Sequence, residues 1–278
     1  MKKIFAYITT LTSLSAMFSC GQEHEYFKGL TAPADSSAVQ VKFIHAASDT
    51  VGVNLFVDNV KITGNPASVI TTVGAANAGQ INVGSIAYQS VFPVTNYSSI
   101  ASSGVFSVVV PDAYTNTTTY PNKTLATLSA PSLTSGAYTV AFVGVSKSYE
   151  LVTLPDNLSA APIDGNAYIR FANFIAGTTL TLKAIPPADP APAPAPTEIT
   201  LLSNVAYKSS SDFIVLPKVG TYTNIKIYDA TTNALIATLA NTSSFTTFLN
   251  NKAYTVFARG QMGKTGAIAP GISRATNR

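Results

Sequence analysis

VKFIHAASDTVGVNLFVD, residues Val41–Asp58, reads as a strand, a tight polar turn and a second strand. Val41 and Phe43 share one face of the first strand and Lys42 takes the other, as a period of two requires. Val53, Leu55 and Val57 then alternate with Asn54, Phe56 and Asp58. Much of this pattern returns at Ile169–Ala184, IRFANFIAGTTLTLKA.

Further pieces repeat in the same order. Val41-Lys42-Phe43 answers to Ile169-Arg170-Phe171, and Ile86–Ser90 (IAYQS) to Val205–Ser209 (VAYKS). Leu125–Leu128 (LATL) answers to Ile236–Leu239 (IATL), and Ala137–Val140 (AYTV) to Ala253–Val256 (AYTV). Four collinear matches are hard to obtain by chance, so the chain reads as two copies of one β unit. Val105–Val110, Ala137–Val143 and Tyr149–Leu154 are further strands by β-branched and aromatic content. Gly64-Asn65-Pro66, Pro111-Asp112 and Ser135-Gly136 punctuate between strands. About seven short strands in roughly 120 residues suit a β-sandwich. A β-barrel is the alternative, and two repeats are too few blades for a propeller. The second copy offers no clear equivalent of Tyr149–Leu154, and Gln261–Arg278 either adds an edge strand or frays.

The start of the chain carries an address. Lys2 and Lys3 precede a short apolar run, Ile4–Met17, which ends in Met17-Phe18-Ser19-Cys20. A basic start, a short apolar core and a small residue before the cut describe a secretory signal over residues 1–19. Cys20 at the cut resembles the bacterial lipoprotein box, which implies cleavage before Cys20 and its acylation. It is the chain's single cysteine, so intrachain disulfides are excluded. Residues 20–39 read as the acylated Cys and a flexible tether. Glu23 and Glu25 resemble a surface-export signal of some bacteria with an outer membrane, interrupted by His24; a solvated leash is the competing reading.

Composition narrows the partners. The net charge of +4 includes Lys2 and Lys3. Their removal leaves 15 basic against 13 acidic residues, or +2. No Lys/Arg cluster tracks a phosphate backbone, so nucleic acid is not expected. The remaining expected partners are the membrane, through the anchor, and a glycan, matrix component or envelope protein.

Pro186–Pro196, PPADPAPAPAP, has the composition of an interdomain linker. The overlay puts it inside the second copy, as a stiff surface loop. The expected boundary falls at Pro155–Asn166 instead. The first repeat is then 40–160 and the second 161–278, with the Pro-rich loop at 186–196.

VKFIHAASDTVGVNLFVDN, Val41–Asn59, resembles the opening V-R-F-V-H-A-S-P-D-A-P-x-V-D-V-Y-V-D-G of a bacterial family called domain of unknown function 4397. LVTLPDNLSAAPIDGNAYIRFANF is similar to that family's passage between copies, and FIVLPKVGTYTNIKIYD to its Val-Pro, Gly-Thr-Tyr pattern. The resemblance covers roughly Val39–Gly260. It implies exported or lipid-anchored proteins with immunoglobulin-like sandwich repeats and no established activity. Ser48 and Val51 stand where the family has Pro, and Asn173 of the second copy stands where the first has His45.

Few residues suggest chemistry. His45 ends a strand next to Ser48 and Asp49, a nucleophilic set only if the serine reaches the base. A structural role, closing the turn, is the competing reading. With two His and one Cys, no zinc or copper set is expected. Asp156, Asn157, Asp164 and Asn166 at the repeat junction offer oxygens for calcium but fit no EF-hand spacing, and turn formation explains them equally. Tyr114–Tyr120, YTNTTTY, is a hydroxyl-rich loop bracketed by Tyr114 and Tyr120, the candidate ligand-binding residues. The expectation is a non-enzymatic, lipid-anchored envelope protein without cofactor or metal, acting in binding or adhesion. A structural spacer in an outer-membrane complex is the alternative, and a hydrolase a distant third.

Overall fold

The computed structural model describes residues 39–63, 85–100, 104–111, 123–129, 133–190, 194–239 and 244–278. Residues 1–19, Cys20, the tether up to residue 38, and Tyr114 and Tyr120 lie outside them. The described residues are all-β, joined by turns and single 3-10 turns.

Within the first copy lie β1 (Val39–His45), β2 (Asn54–Val57), β3 (Val60–Lys61), β4 (Val91–Phe92) and β5 (Ser98–Ile100). They are followed by β6 (Phe106–Val109), β7 (Thr124–Leu128), β8 (Gly136–Val145) and β9 (Ser148–Pro155). One sheet runs β4-β1-β8-β9 with β5 also on β1; the other runs β3-β2-β6-β7. The pairing of β1 with β8 is parallel. Val41, Phe43, Leu55, Phe106, Val108, Val140 and Phe142 fill the space between the two sheets.

The second copy repeats this plan. It contains β10 (Ala167–Asn173), β11 (Thr179–Ile185), β12 (Ile199–Ala206), β13 (Ser209–Ser210), β14 (Ile214–Val215) and β15 (Gly220–Thr221). It ends with β16 (Thr223–Asp229), β17 (Leu235–Leu239), β18 (Thr247–Phe248), β19 (Lys252–Arg259) and β20 (Gly271–Thr276). Its sheets run β13-β10-β19-β20, with β14 also on β10, and β12-β11-β16-β17; β15 and β18 form a small ribbon. Again the β10–β19 pairing is parallel. Ile169, Phe171, Leu180, Leu182, Ile225, Ile227 and Val256 fill its core. Phe43 lies across from Val140 and Phe171 from Val256, so the two phenylalanines hold matching places.

Two sequence readings are refined. β1 begins at Val39, one residue inside the expected tether. The missing closing strand of the second copy is β20, which pairs antiparallel with β19 as β9 does with β8. Its sequence, GISRAT, has too little β-branched content to announce a strand. Residues 186–198 connect β11 to β12, which pair antiparallel with each other, so the Pro-rich run lies within a hairpin.

The face of β1 that carries Lys42 is buried as well: Lys42 and Ile44 are both fully covered. Ile44, Ala46, Ala141, Val143 and Leu154 of the first copy pack on Ala172, Phe174, Phe257 and Ala275 of the second. The β1 and β10 sheets therefore face each other through their outer surfaces, and the molecule stacks four sheets in series. Gly144 and Gly260 close matching strands here. Each has positive φ, 106° and 103°, and a Cβ would meet Ser148 O or Ala269 O at 2.1 or 2.2 Å. Only glycine fits where the returning chain crosses so closely.

Candidate functional site

Between the two sandwiches, matched residues meet. Tyr138 lies across from Pro155 and Tyr254 from Thr276, so the residues that follow, Asp156 and Asn277, correspond. Val41 lies across from Ser98 and Ile169 from Ile214, so Tyr97 and Phe213 correspond as well. Lys42, Tyr97, Thr139 and Asp156 thus have the counterparts Arg170, Phe213, Thr255 and Asn277. The Lys42 ammonium sits 5.1 Å from the Tyr97 ring centre, and the Arg170 guanidinium 5.1 Å from that of Phe213.

Arg170 is 1% exposed and holds both halves. Its Nε donates to Thr255 Oγ1 at 2.9 Å within its own copy. Its Nη atoms donate to Thr139 Oγ1 at 2.8 Å, to Pro155 O at 2.9 Å and to the Asp156 carboxylate, all on the first copy's strands β8–β9 or just after them. Asp156 also accepts from the Tyr97 hydroxyl, from Thr139 Oγ1 at 2.9 Å and from Asn277 Nδ2 at 2.9 Å. Thr255 Oγ1 donates to Asn277 Oδ1 at 2.7 Å, which completes a closed network. A buried ion pair persists only when its remaining hydrogen-bonding capacity is met, and here it is.

Lys42 is less well served. Its Nζ donates to Pro93 O at 2.9 Å, and it feels the charge of Asp156. Burial pushes its pKa down from 10.5 to about 8 against the opposing pull of Asp156. The Tyr97 hydroxyl is pushed far up, by burial first and then by Asp156. One carboxylate serves two buried cations, because the second copy has an amide, Asn277, where the first has Asp156.

His45 lies at the end of β1, fully buried. Its Nε2 carries the proton, since the Val51 carbonyl 3.1 Å away can only accept. Thr50 Oγ1 is also 3.1 Å from Nε2. Nδ1 has no partner among the described residues, and the Phe142 ring lies 5.3 Å from the imidazole centre. Burial lowers the His45 pKa from 6.5 to about 4, only partly opposed by the Val51 carbonyl. Ser48 Oγ accepts from Gln261 Nε2 at 2.8 Å, and Asp49 accepts from Ser146 N at 2.5 Å. The three residues are not assembled into a relay. In the second copy Asn173 donates to Thr178 O at 3.0 Å and Val205 O at 3.1 Å, and accepts from Ile175 N at 2.9 Å. Both side chains close the turn after the first strand.

The junction oxygens are likewise dispersed. Asp156 belongs to the interface network, Asn157 accepts from Ser159 Oγ at 2.5 Å, and Asp164 accepts from Asn166 and Tyr168. Among the described residues, no three His, Cys, Asp or Glu gather as a metal set.

β1, β8, β10 and β19 run in one direction. Past the ends of β1 and β19, Ser48 meets Gln261, and near the same end Lys208 pairs with Glu150 at 2.5 Å. This end is distal to Val39. It carries residues 46–53, the Tyr88-Gln89 and Tyr207-Lys208 turns, the β8–β9 turn and residues 260–270. β6 ends and β7 begins there too, since Val109 lies across from Asn54 just after the first turn.

No protein-family model matches this chain, and no curated protein does. Among solved structures, it is similar to a candidate cell adhesion protein from Bacteroides ovatus, at 8% identity and a TM-score of 0.28, over 86% of this chain and 95% of that one. It is also similar to a family 26 carbohydrate-binding module from Eubacterium rectale in complex with maltoheptaose, at 13% identity and a TM-score of 0.22, over 84% and 95%. At these scores neither likeness bears on function.

Proposed function

We propose that this chain is a non-enzymatic, lipid-anchored envelope protein whose two immunoglobulin-like domains, 40–160 and 161–278, bind a glycan, matrix component or envelope partner. On this reading it is a member of the family its repeats resemble. Residues 1–19 are a signal peptide, and Cys20 carries the acyl chains on the outer membrane, with the cell surface the favoured face. Several acyl chains hold far more firmly than one. The observation that carries the reading is polarity: Val39, which receives the anchor segment, lies at one end, and the end of β6 and the start of β7 lie at the other. Recognition loops belong on such a far end, carried by a rigid scaffold. Tyr114 and Tyr120 supply the aromatic contacts.

The test is binding of the acylated full chain to an array of glycans, matrix proteins and envelope fractions, with and without residues 114–120. The expected outcome is specific retention without turnover, weakened about tenfold or more by the deletion while the melting temperature holds. Unchanged binding removes that loop, and absence of any retained ligand removes the binding role. Protease shaving of intact cells tests the surface face.

A structural spacer is the second reading, favoured by the closed Arg170–Asp156–Asn277 network, which ties both sandwiches into one body. It predicts co-purification with a membrane partner and no soluble ligand.

A further inference from the structure

The apolar side chains left in solvent are distributed unevenly. Val60, which opens β3, Val105, before β6, and Ile163, between β9 and β10, lie at the Val39 end of the first sandwich or at its junction with the second. Val219, Phe245 and Leu249 lie at the same end of the second. Val60 is 64% exposed, Ile163 69% and Leu249 55%. Among the described residues, the distal end offers Leu235 and Met262, and Val94 sits on a sheet edge.

The second-copy group has a structural cause. In the β15–β18 ribbon, Gly220 lies across from Phe248 and Thr221 from Thr247. Alternation sends Tyr222 and Phe248 into the core and turns Thr221, Thr247, Val219 and Leu249 outward. The two threonine hydroxyls sit 2.9 Å apart on this outer face. Phe245 flanks it, with the Arg274 guanidinium 5.9 Å from its ring centre, and Lys252 is exposed close by. Solvated turns are normally polar, so several large apolar residues gathered at one end mark a surface that meets something apolar.

We infer that this end rests on the lipid surface, with its apolar turns in the headgroup boundary. The inference rests on the anchor proposed above, because the position of the tether selects the occupant. Residues 1–38 join the fold at Val39, at this same end. Read as a tether, the residues between Cys20 and Val39 would span about 25 Å on average as a random coil. The anchored end is therefore held near the bilayer, where apolar side chains with cations beside them are stabilised by acyl chains and phosphates together.

The chain contains no Trp, so a single introduced Trp reports cleanly. Acylated full-length Leu249→Trp and Met262→Trp chains are reconstituted into phosphatidylethanolamine–phosphatidylglycerol vesicles, with and without brominated acyl chains. The expected result is a blue shift at position 249 and loss of most of its emission to bromine, with neither at position 262. Chains that float with the vesicles yet give equal, unquenched emission at both positions overturn the contact and leave the anchor standing. A blue shift at 249 without bromine quenching also overturns it, in favour of a protein partner at this end. Chains that do not float overturn the anchor, and the contact with it. A Phe245→Trp chain repeats the reading if Leu249→Trp fails to fold.

Discussion

The two copies fill the same interface positions with different chemistry. The first offers Lys42, Tyr97, Thr139 and Asp156; the second offers Arg170, Phe213, Thr255 and Asn277. The backbone geometry is shared, down to the 5.1 Å between each cation and its ring centre. The charges are not, because there is one acid for two cations. A guanidinium reaches two threonines, a carbonyl and a carboxylate at once, whereas an ammonium on a shorter head finds one carbonyl. Duplication thus supplied two equal faces, and divergence made one the clamp and the other a tolerated cation.

The comparison breaks most readily at the carboxylate. Asp156→Ala leaves Arg170 buried without its counter-charge and should cost about 3–5 kcal/mol in urea unfolding. The matching change in the second copy, Asn277→Ala, removes hydrogen bonds to Asp156, Tyr97 and Thr255 but no charge, and should cost about 1–3 kcal/mol. Equal losses would mean that the two halves are energetically alike.

Lys42 sharpens the contrast through pH. Its folded pKa of about 8 lies below its ordinary 10.5, so between those values the unfolded chain binds the extra proton. Stability should rise as pH climbs through that window, by up to about 3 kcal/mol from this group. Lys42→Met should reduce the rise to the smaller share of half-buried Lys61, whose pKa burial also lowers to about 8, and be neutral or stabilising at pH 7, as apolar replacement of a buried charge often is. Melting temperatures from pH 7 to 10.5 check both.

His45 and Asn173 give a smaller test. The folded His45 pKa of about 4 against 6.5 means that stability is lost as pH falls from 6.5 toward 4. His45→Asn, which copies the second unit, should flatten that acid limb and change stability at pH 7 by about 1 kcal/mol or less. Smallest of all is Glu150→Ala: its pair with Lys208 is largely exposed and should contribute about 0–1 kcal/mol.

The sheets were legible because alternation carries the information that builds them. Val41 and Phe43, like Ile169 and Phe171, show one apolar face, and matched pieces located β7, β8 and their counterparts. The Pro-rich run was readable from its position between matched strands, against its composition. β20 was not, since GISRAT has neither clear alternation nor enough β-branched residues. The interface was hidden for a different reason. A lone Lys or Arg between apolar neighbours reads as a solvated face, and its partners lie far along the chain: Asp156 is 14 residues before Arg170, and Thr255 is 85 after it. The usable signal was a cation and a threonine recurring at matched places in both copies.

The central claim is that Arg170 and Asp156 bind the two sandwiches face to face. A double-mutant cycle of Arg170→Met and Asp156→Ala, followed by urea unfolding, tests it most directly. The account predicts a coupling energy of about 2–3 kcal/mol in a single cooperative transition. Additive losses to within about 0.5 kcal/mol, or separate unfolding of two units in the unmutated chain, would contradict it.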